Sequence, residues 1–235
     1  MNLAIDLGNS YAKIGCFHNG RLKQPVLKPS FDEIPELISK LKPDNLVISS
    51  VNQDPSKLLG LVGGTEIVLD QNTPLPISID YDTPETLGKD RIAAAVGAYQ
   101  LKPNSNSLVV DVGTCLTYEF INDQNIYIGG AISPGIEMRL KAMHTFTAGL
   151  PLVELNNNVN LIGSSTKTAL QSGAMYGVIA EIEEIVRMYK DKFSHLRFII
   201  CGGWAEEVGN RLKTEAEIYP DLVLIGLNGI LEHNA

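Results

Sequence analysis

The chain has 235 residues, 44% of them apolar and 20% charged, the profile of a soluble globular protein of one large domain or two small ones. Its formal net charge is −8 and its pI near 5.0, which argues against a nucleic-acid partner, since that would need a basic face. No apolar run approaches a membrane span and no basic segment followed by a long apolar run is found, so no membrane partner is expected. Cys16, Cys115 and Cys201 lie far apart with no paired or metal-ligand spacing, which suits a reduced cytoplasm and a role as small core residues.

The first apolar run is Leu3-Ala4-Ile5-Asp6-Leu7-Gly8-Asn9-Ser10. It reads as a buried strand ending in Asp-x-Gly. The glycine lets backbone N–H groups approach a phosphate, and the carboxylate can hold a hydrated cation opposite it. An alternating run from Tyr11 to Phe17, the turn His18-Asn19-Gly20 and a further run to Leu27 predict a hairpin. Phe31, Ile34, Leu37, Ile38 and Leu41 recur at helical spacing, with Pro35 suited to a first turn. Leu46 to Val51 and Glu66 to Asp70 read as short strands, with a short helix between them in the Asp54 to Val62 region. This βαβ alternation implies parallel pairing.

Residues 71 to 89 hold three prolines and few apolar residues, which predicts an extended connection. A helix from Arg91 to Gln100 follows. Asp90 suits its N-cap, whereas Arg91 in the first turn opposes the helix dipole. That mismatch favours an anionic ligand at Gly88-Lys89-Asp90-Arg91, where N-terminal amides also gather.

Leu108-Val109-Val110-Asp111-Val112-Gly113-Thr114 repeats the opening device. Strands from Cys115 to Ile121 and Ile126 to Ile132 repeat the meander, around a turn at residues 122 to 125. The halves divide at 106/107, giving an N-terminal half 1–106 and a C-terminal half 107–235. Gly129-Gly130 at a strand end allows close approach to a ligand or another strand. A helix from about Ile136 to Phe146 precedes an asparagine-rich loop. Gly163-Ser164-Ser165-Thr166 then caps a long helix to Phe193, with an apolar stripe from Met175 to Tyr189. Gly173 and Gly177 on that helix predict close packing in the core, with a dimer interface as the alternative. Leu196 to Cys201 reads as a strand, Gly202-Gly203 as a nucleotide seat or a tight turn, Trp204 to Lys213 as a helix. Leu222 to Ile225 reads as a strand before a last short helix.

Taken in order, these motifs resemble the type III pantothenate kinases of the acetate-kinase, sugar-kinase, heat-shock-protein and actin superfamily. They are Asp6-x-Gly8-Asn9-Ser10, Tyr81-x-x-Pro84-x-x-Leu87-Gly88-x-Asp90-Arg91, Asp111-x-Gly113-Thr114 and Gly129-Gly130-x-Ile132-x-Pro134-Gly135. Thr147-Ala148-x-Leu150-Pro151, Gly163-x-Ser165-Thr166 and Gly202-Gly203 complete the set. The resemblance implies an α/β, actin-like (ribonuclease H-like) duplicated fold of two βββαβα-type halves around a cleft. It implies transfer of phosphate from ATP to pantothenate, the first step of coenzyme A biosynthesis, in the cytoplasm.

By the same resemblance, Asp6, Leu7, Gly8, Asn9, Ser10, Tyr11, Ala12 and Lys13 would bind ATP with its Mg²⁺, Asp6 through the phosphates, and Thr114 would contact ATP. Tyr81, Gly88, Lys89, Asp90, Arg91 and Thr166 would bind pantothenate, with Asp90 the proton acceptor and Thr166 reaching in from the partner of a homodimer. Asp111 would hold a monovalent cation, K⁺ or ammonium. Two positions depart from the family pattern: Glu119 replaces the usual Asp, and Trp204 an acidic residue. A non-catalytic accessory protein on the same fold is the alternative, against which the intact Asp6, Asp90, Arg91 and Asp111 set weighs. Another actin-fold phosphotransferase would lack a reason for the Tyr81 to Arg91 segment.

Overall fold

The computed structural model describes residues 1–8, 11–50, 53–156 and 158–235. Asn9 and Ser10 of the first loop, and Val51 at the end of a predicted strand, lie outside them. In chain order the elements begin with β1 (Asn2–Leu7), β2 (Ala12–His18), β3 (Arg21–Leu27), α1 (Ile34–Leu41), β4 (Asn45–Ser50), β5 (Glu66–Val68) and β6 (Ser78–Ile79). Next come α2 (Lys89–Leu101), β7 (Ser107–Val112), β8 (Cys115–Ile121), β9 (Ile126–Pro134), α3 (Ile136–Thr145) and α4 (Thr166–Lys192). The remainder is β10 (Arg197–Cys201), α5 (Ala205–Gly209), β11 (Glu217–Ile218) and α6 (Leu222–Asn234).

The chain forms two compact units. The first holds Met1–Ser105, Ile121–Gly129 and Asp221–Ala235. Its sheet runs β3-β2-β1-β4-β5, antiparallel across β3, β2 and β1 and parallel from β1 outward. The β2–β3 turn forms because Asn19 and Gly20 both adopt positive φ, 50° and 72°, the pair of left-handed residues that matches strand twist in a two-residue hairpin. Ile34 and Ile38 of α1 close the core over Leu3, Ile5, Leu46 and Ile48. The helix is entered through a capping box between Ser30 and Glu33. Within residues 71 to 89, predicted as extended, β6 is a short strand paired in parallel with Ile126 and Tyr127.

The second unit holds Asn106–Phe120 and Gly130–Pro220. The strands β11-β10-β7-β8-β9 repeat the order of the first sheet. Asp6 and Asp111 each stand fifth in a six-residue strand, and each central strand runs parallel to the strand that follows a crossover, β4 or β10. The duplication read from the two Asp-x-Gly motifs is therefore present in strand order and register. The 27-residue α4 starts where expected, with Ser165 accepting from the Thr168 N–H as its N-cap.

Three expectations are corrected. Leu222 to Ile225 is not a strand but the first turn of α6. A four-residue apolar run cannot distinguish strand from buried helix, and here it packs on α2, itself buried from Arg91 to Ala98. A Cβ on Gly226 would collide with the Ala93 carbonyl oxygen, and one on Gly97 would lie 2.6 Å from the Leu222 oxygen. Asp90 is not the N-cap of α2: Gly88 is, in an extended conformation, and Asp90 sits in the first turn. Its Oδ1 accepts from the Arg91 N–H at 2.9 Å. The glycine pair of α4 does not serve close core packing: Gly173 has nothing within 4 Å of its Cβ position, and Gly177 faces the Arg139 guanidinium.

These contacts give opposite outcomes for the same substitution. Gly226→Ala should lower stability in urea by about 2 kcal/mol through overpacking. Gly173→Ala should raise it by about 0.5–1 kcal/mol through helix propensity.

Candidate active site

The first loop leaves β1 at its C-terminal end. Asp6 pairs in register with Lys13, and Leu7 with Ala12, across β1 and β2. Gly8 follows, with the Tyr11 carbonyl 3.3 Å from its Cβ position. The Tyr11 ring is 45% exposed and has two ammonium groups over it, Lys28 Nζ at 5.4 Å and Lys13 Nζ at 6.0 Å from the centroid. Lys28 was not singled out in the sequence, because its approach to Tyr11 depends on the β2–β3 pairing rather than on a local motif.

The stretch from Tyr81 to Arg91 lies in the same unit. Arg91 is buried, 8% exposed, with its guanidinium 6.0 Å from the centre of the Tyr81 ring. Tyr81 leans on Tyr127, centroid to centroid 6.0 Å. Its ring edge also lies 3.4 Å from the Cβ position of Gly129, whose φ is +129°. Of the two uses read for Gly129-Gly130, the structure shows close approach within the protein: Gly129 seats Tyr81, and a Cβ on Gly130 would collide with the Tyr118 carbonyl. Gly88 is restricted likewise, since its Cβ would stand 2.6 Å from Asp90 Oδ1. Lys89 and Asp90 are half-buried. The loop thus places a carboxylate, a guanidinium and an aromatic face together at the start of a rigid helix.

In the second unit, Asp111, Gly113, Gly135 and Gly202 converge at the C-terminal ends of the parallel strands β7 and β10. This is where open α/β sheets bind ligands. Asp111 pairs in register with Cys201. Its Oδ1 lies 3.1 Å from the Cβ position of Gly113, and any side chain at Gly202, φ +93°, would collide with it. The Gly113 N–H donates to the Cys115 carbonyl at 3.0 Å, closing a tight turn whose next residue, Thr114, is exposed. Thr166 is exposed in the first turn of α4. The departure Trp204 is the N-cap of α5, its N–H donating to the Val112 carbonyl at 3.1 Å. The departure Glu119 is fully buried in β8.

A buried phenol, Tyr118, and a partly buried one, Tyr189, belong to this unit. Burial, with the Glu181 carboxylate beside it, pushes the Tyr118 phenol well above its ordinary value, and the hydroxyl donates to Glu181 Oε1 at 3.2 Å. Burial, joined by the charge of Glu119, also raises Tyr189. Among the described residues, no group of three His, Cys, Asp or Glu side chains could hold a metal ion, and no helix is long and apolar enough to cross a membrane.

The repeated strand order gives the chain an actin-like duplicated α/β fold. A hexokinase of the ROK family from Thermus thermophilus superposes with a TM-score of 0.52 at 12% identity, covering 99% of this chain and 98% of that one. A Campylobacter jejuni protein assigned to the Baf family of transcriptional activators superposes at 0.65 with 22% identity, covering 99% and 98%. These likenesses concern the fold alone. The sequence is more specific: the family model of type III pantothenate kinase matches residues 2–188. A type III pantothenate kinase of Cytophaga hutchinsonii is 43% identical over the whole of both chains. Another, from Christiangramia forsetii, is 40% identical over 100% of this chain and 99% of its own. The chain belongs to the type III pantothenate kinase family.

Because both phenols are raised in the folded protein, the stability they contribute is complete below their unfolded value near ~10 and falls as pH climbs toward their folded values. Ultraviolet titration should find the Tyr118 phenol protonated well above the ordinary range in the folded protein and released when the chain unfolds. A Tyr118→Phe variant whose folded-state titration curve matches that of the wild type would contradict the burial of Tyr118.

Proposed function

We propose that this chain transfers the γ-phosphoryl group of ATP to the primary hydroxyl of pantothenate, giving 4′-phosphopantothenate and ADP, as a cytoplasmic first step of coenzyme A biosynthesis. The observation that carries the reading is the juxtaposition of the Asp90 carboxylate, which accepts from the Arg91 backbone N–H, and the Arg91 guanidinium beside the Tyr81 ring at the start of α2. A substrate that is both a carboxylate and an alcohol needs these two groups side by side.

In this reading Arg91 meets the pantothenate carboxylate, Tyr81 covers the chain, and Gly88 and Lys89 complete the loop. Asp90 accepts the hydroxyl proton as the new P–O bond forms and the bond to ADP breaks. The transition state is loose, so a weak base suffices and positioning with charge neutralisation matters most. Asp6 to Lys13 would hold the ATP phosphates with their Mg²⁺, and Thr114 would touch the nucleotide. The ammonium groups of Lys13 and Lys28, gathered at Tyr11, add the positive charge such a site requires. Asp111 fits a monovalent cation, K⁺ or ammonium: glycines at 113 and 202 leave room around its carboxylate that a Cβ would fill. The cation would supply fixed positive charge at the end of β7.

A homodimer belongs to the same reading. Thr166 is exposed, and the chain leading to α4 carries Phe146 at 86%, Leu152 at 63%, Leu161 at 67% and Ile162 at 84% exposure. Apolar exposure of this kind marks a surface that a partner covers, and Thr166 would complete the partner's pocket.

The test is ADP release with ATP, Mg²⁺, K⁺ and pantothenate. We expect release to require pantothenate and to fall about 10²-fold or more in Asp90→Asn. Turnover that survives in the variant would leave Asp90 a structural residue. No pantothenate-dependent release under any monovalent cation would overturn the kinase reading. Thr166→Ala should raise the pantothenate KM in a protein that stays dimeric; a fully active monomer would refute the shared pocket.

A further inference from the structure

The glycine stripe of α4 has an occupant that the sequence does not announce. Arg139, on α3, lies with Nη1 3.4 Å from the Cβ position of Gly177, so its guanidinium rests against nearly bare helix. From there it donates in three directions. Nε donates to the Pro134 carbonyl at 2.9 Å, and Nη2 donates to Ser133 Oγ at 3.3 Å. Nη2 also pairs with Glu181 Oε2 on α4. The second oxygen of Glu181 accepts the Tyr118 hydroxyl, so β8, the end of β9, α3 and α4 meet at one fork. Both members of the ion pair are about three-quarters buried, with side-chain exposures of 23% and 24%, which separates it from a solvated surface pair.

The peptide that Arg139 holds leads directly into Gly135, the N-cap of α3. A Cβ on Gly135 would lie 2.5 Å from the Thr114 carbonyl and would collide with that of Gly113. Ser133 to Gly135 is therefore the floor on which the Gly113-Thr114 turn rests, and Arg139 grips that floor by a carbonyl one residue away. A lysine could keep the charge facing Glu181 but not the fork, since an ammonium lacks the planar array of donors.

We propose that Arg139, held by Glu181, is a positioning residue for the Gly113-Thr114 turn and thereby for the bound nucleotide. This rests on the reading that the turn contacts ATP. In this arrangement the guanidinium lies at van der Waals distance from the α4 surface at Gly177. The arrangement also makes α4 the common support of two places: the nucleotide turn, through Glu181, and Thr166 in its own first turn.

The test compares Arg139→Met, Arg139→Lys and Glu181→Gln with Val186→Ala, a core truncation in the same helix with no part in the fork. Binding of a fluorescent ATP analogue, the KM values for ATP and pantothenate, and thermal midpoints are measured for each. We expect the ATP analogue Kd and the ATP KM to rise about tenfold in Arg139→Met and Glu181→Gln, with Arg139→Lys in between and the pantothenate KM within about twofold. Val186→Ala should lower the midpoint without moving either nucleotide constant. The proposal fails if nucleotide binding is unchanged in the fork variants. It fails equally if nucleotide affinity merely tracks thermal midpoint across all four, Val186→Ala included. Analogue binding keeps the two readings apart: a wild-type protein that binds nucleotide without pantothenate-dependent turnover would sink the kinase assignment, and the variants would still decide the role of Arg139.

Discussion

Backbone packed on backbone, with no Cβ between, is the constraint on which the rest of this structure depends. Gly202 lies against the Asp111 carboxylate, Gly135 against the Gly113-Thr114 turn, Gly130 against β8, and Gly97 and Gly226 bring α2 and α6 together. Each contact removes a side chain where polar backbone or a carboxylate must come close, at the entropic cost glycine carries in a regular element. At the strand ends this leaves amides and carboxylate open to a charged ligand. In the α2–α6 pair it leaves no room for slippage.

The helix pair matters because α2 opens with Lys89, Asp90 and Arg91. Its residues from Arg91 to Ala98 are all buried, so the helix cannot tilt without disturbing α6 and the first sheet. A site built on such an element has its geometry set by the core rather than by a loop. Arg91 illustrates the consequence: a buried guanidinium in the first turn opposes the helix dipole, and Asp90 beside it, in the same turn, offsets that penalty.

Much of this was legible in the sequence, and the reasons differ by element. The Asp-x-Gly strands, the Asn19-Gly20 hairpin and the capped start of α4 are local, so residue types within a few positions carry them. The first turn of α6 was misread because Leu222 to Ile225 is apolar in every direction, and only its seat on α2 makes it helical. Asp90 was read as a cap because Asp is a good one; the extended conformation of Gly88 starts the helix earlier. Lys28 over Tyr11, Gly129 under Tyr81 and the fork of Arg139 are long-range encounters that no spacing rule encodes. Gly177 was visible as a small residue, but the guanidinium that lies against it comes from another helix.

The first unit takes its last helix, α6, from the far side of the second unit in the chain. During synthesis, α2, buried from Arg91 to Ala98 in the fold, emerges long before its covering helix exists, whereas the second unit is complete in sequence by Pro220. Vectorial folding, in which N-terminal domains finish first, is reversed here. The unit that bears Asp90 and Arg91 is complete in sequence only once residues up to Asn234 have been made, so its core closes on a segment synthesised after the whole of the other unit.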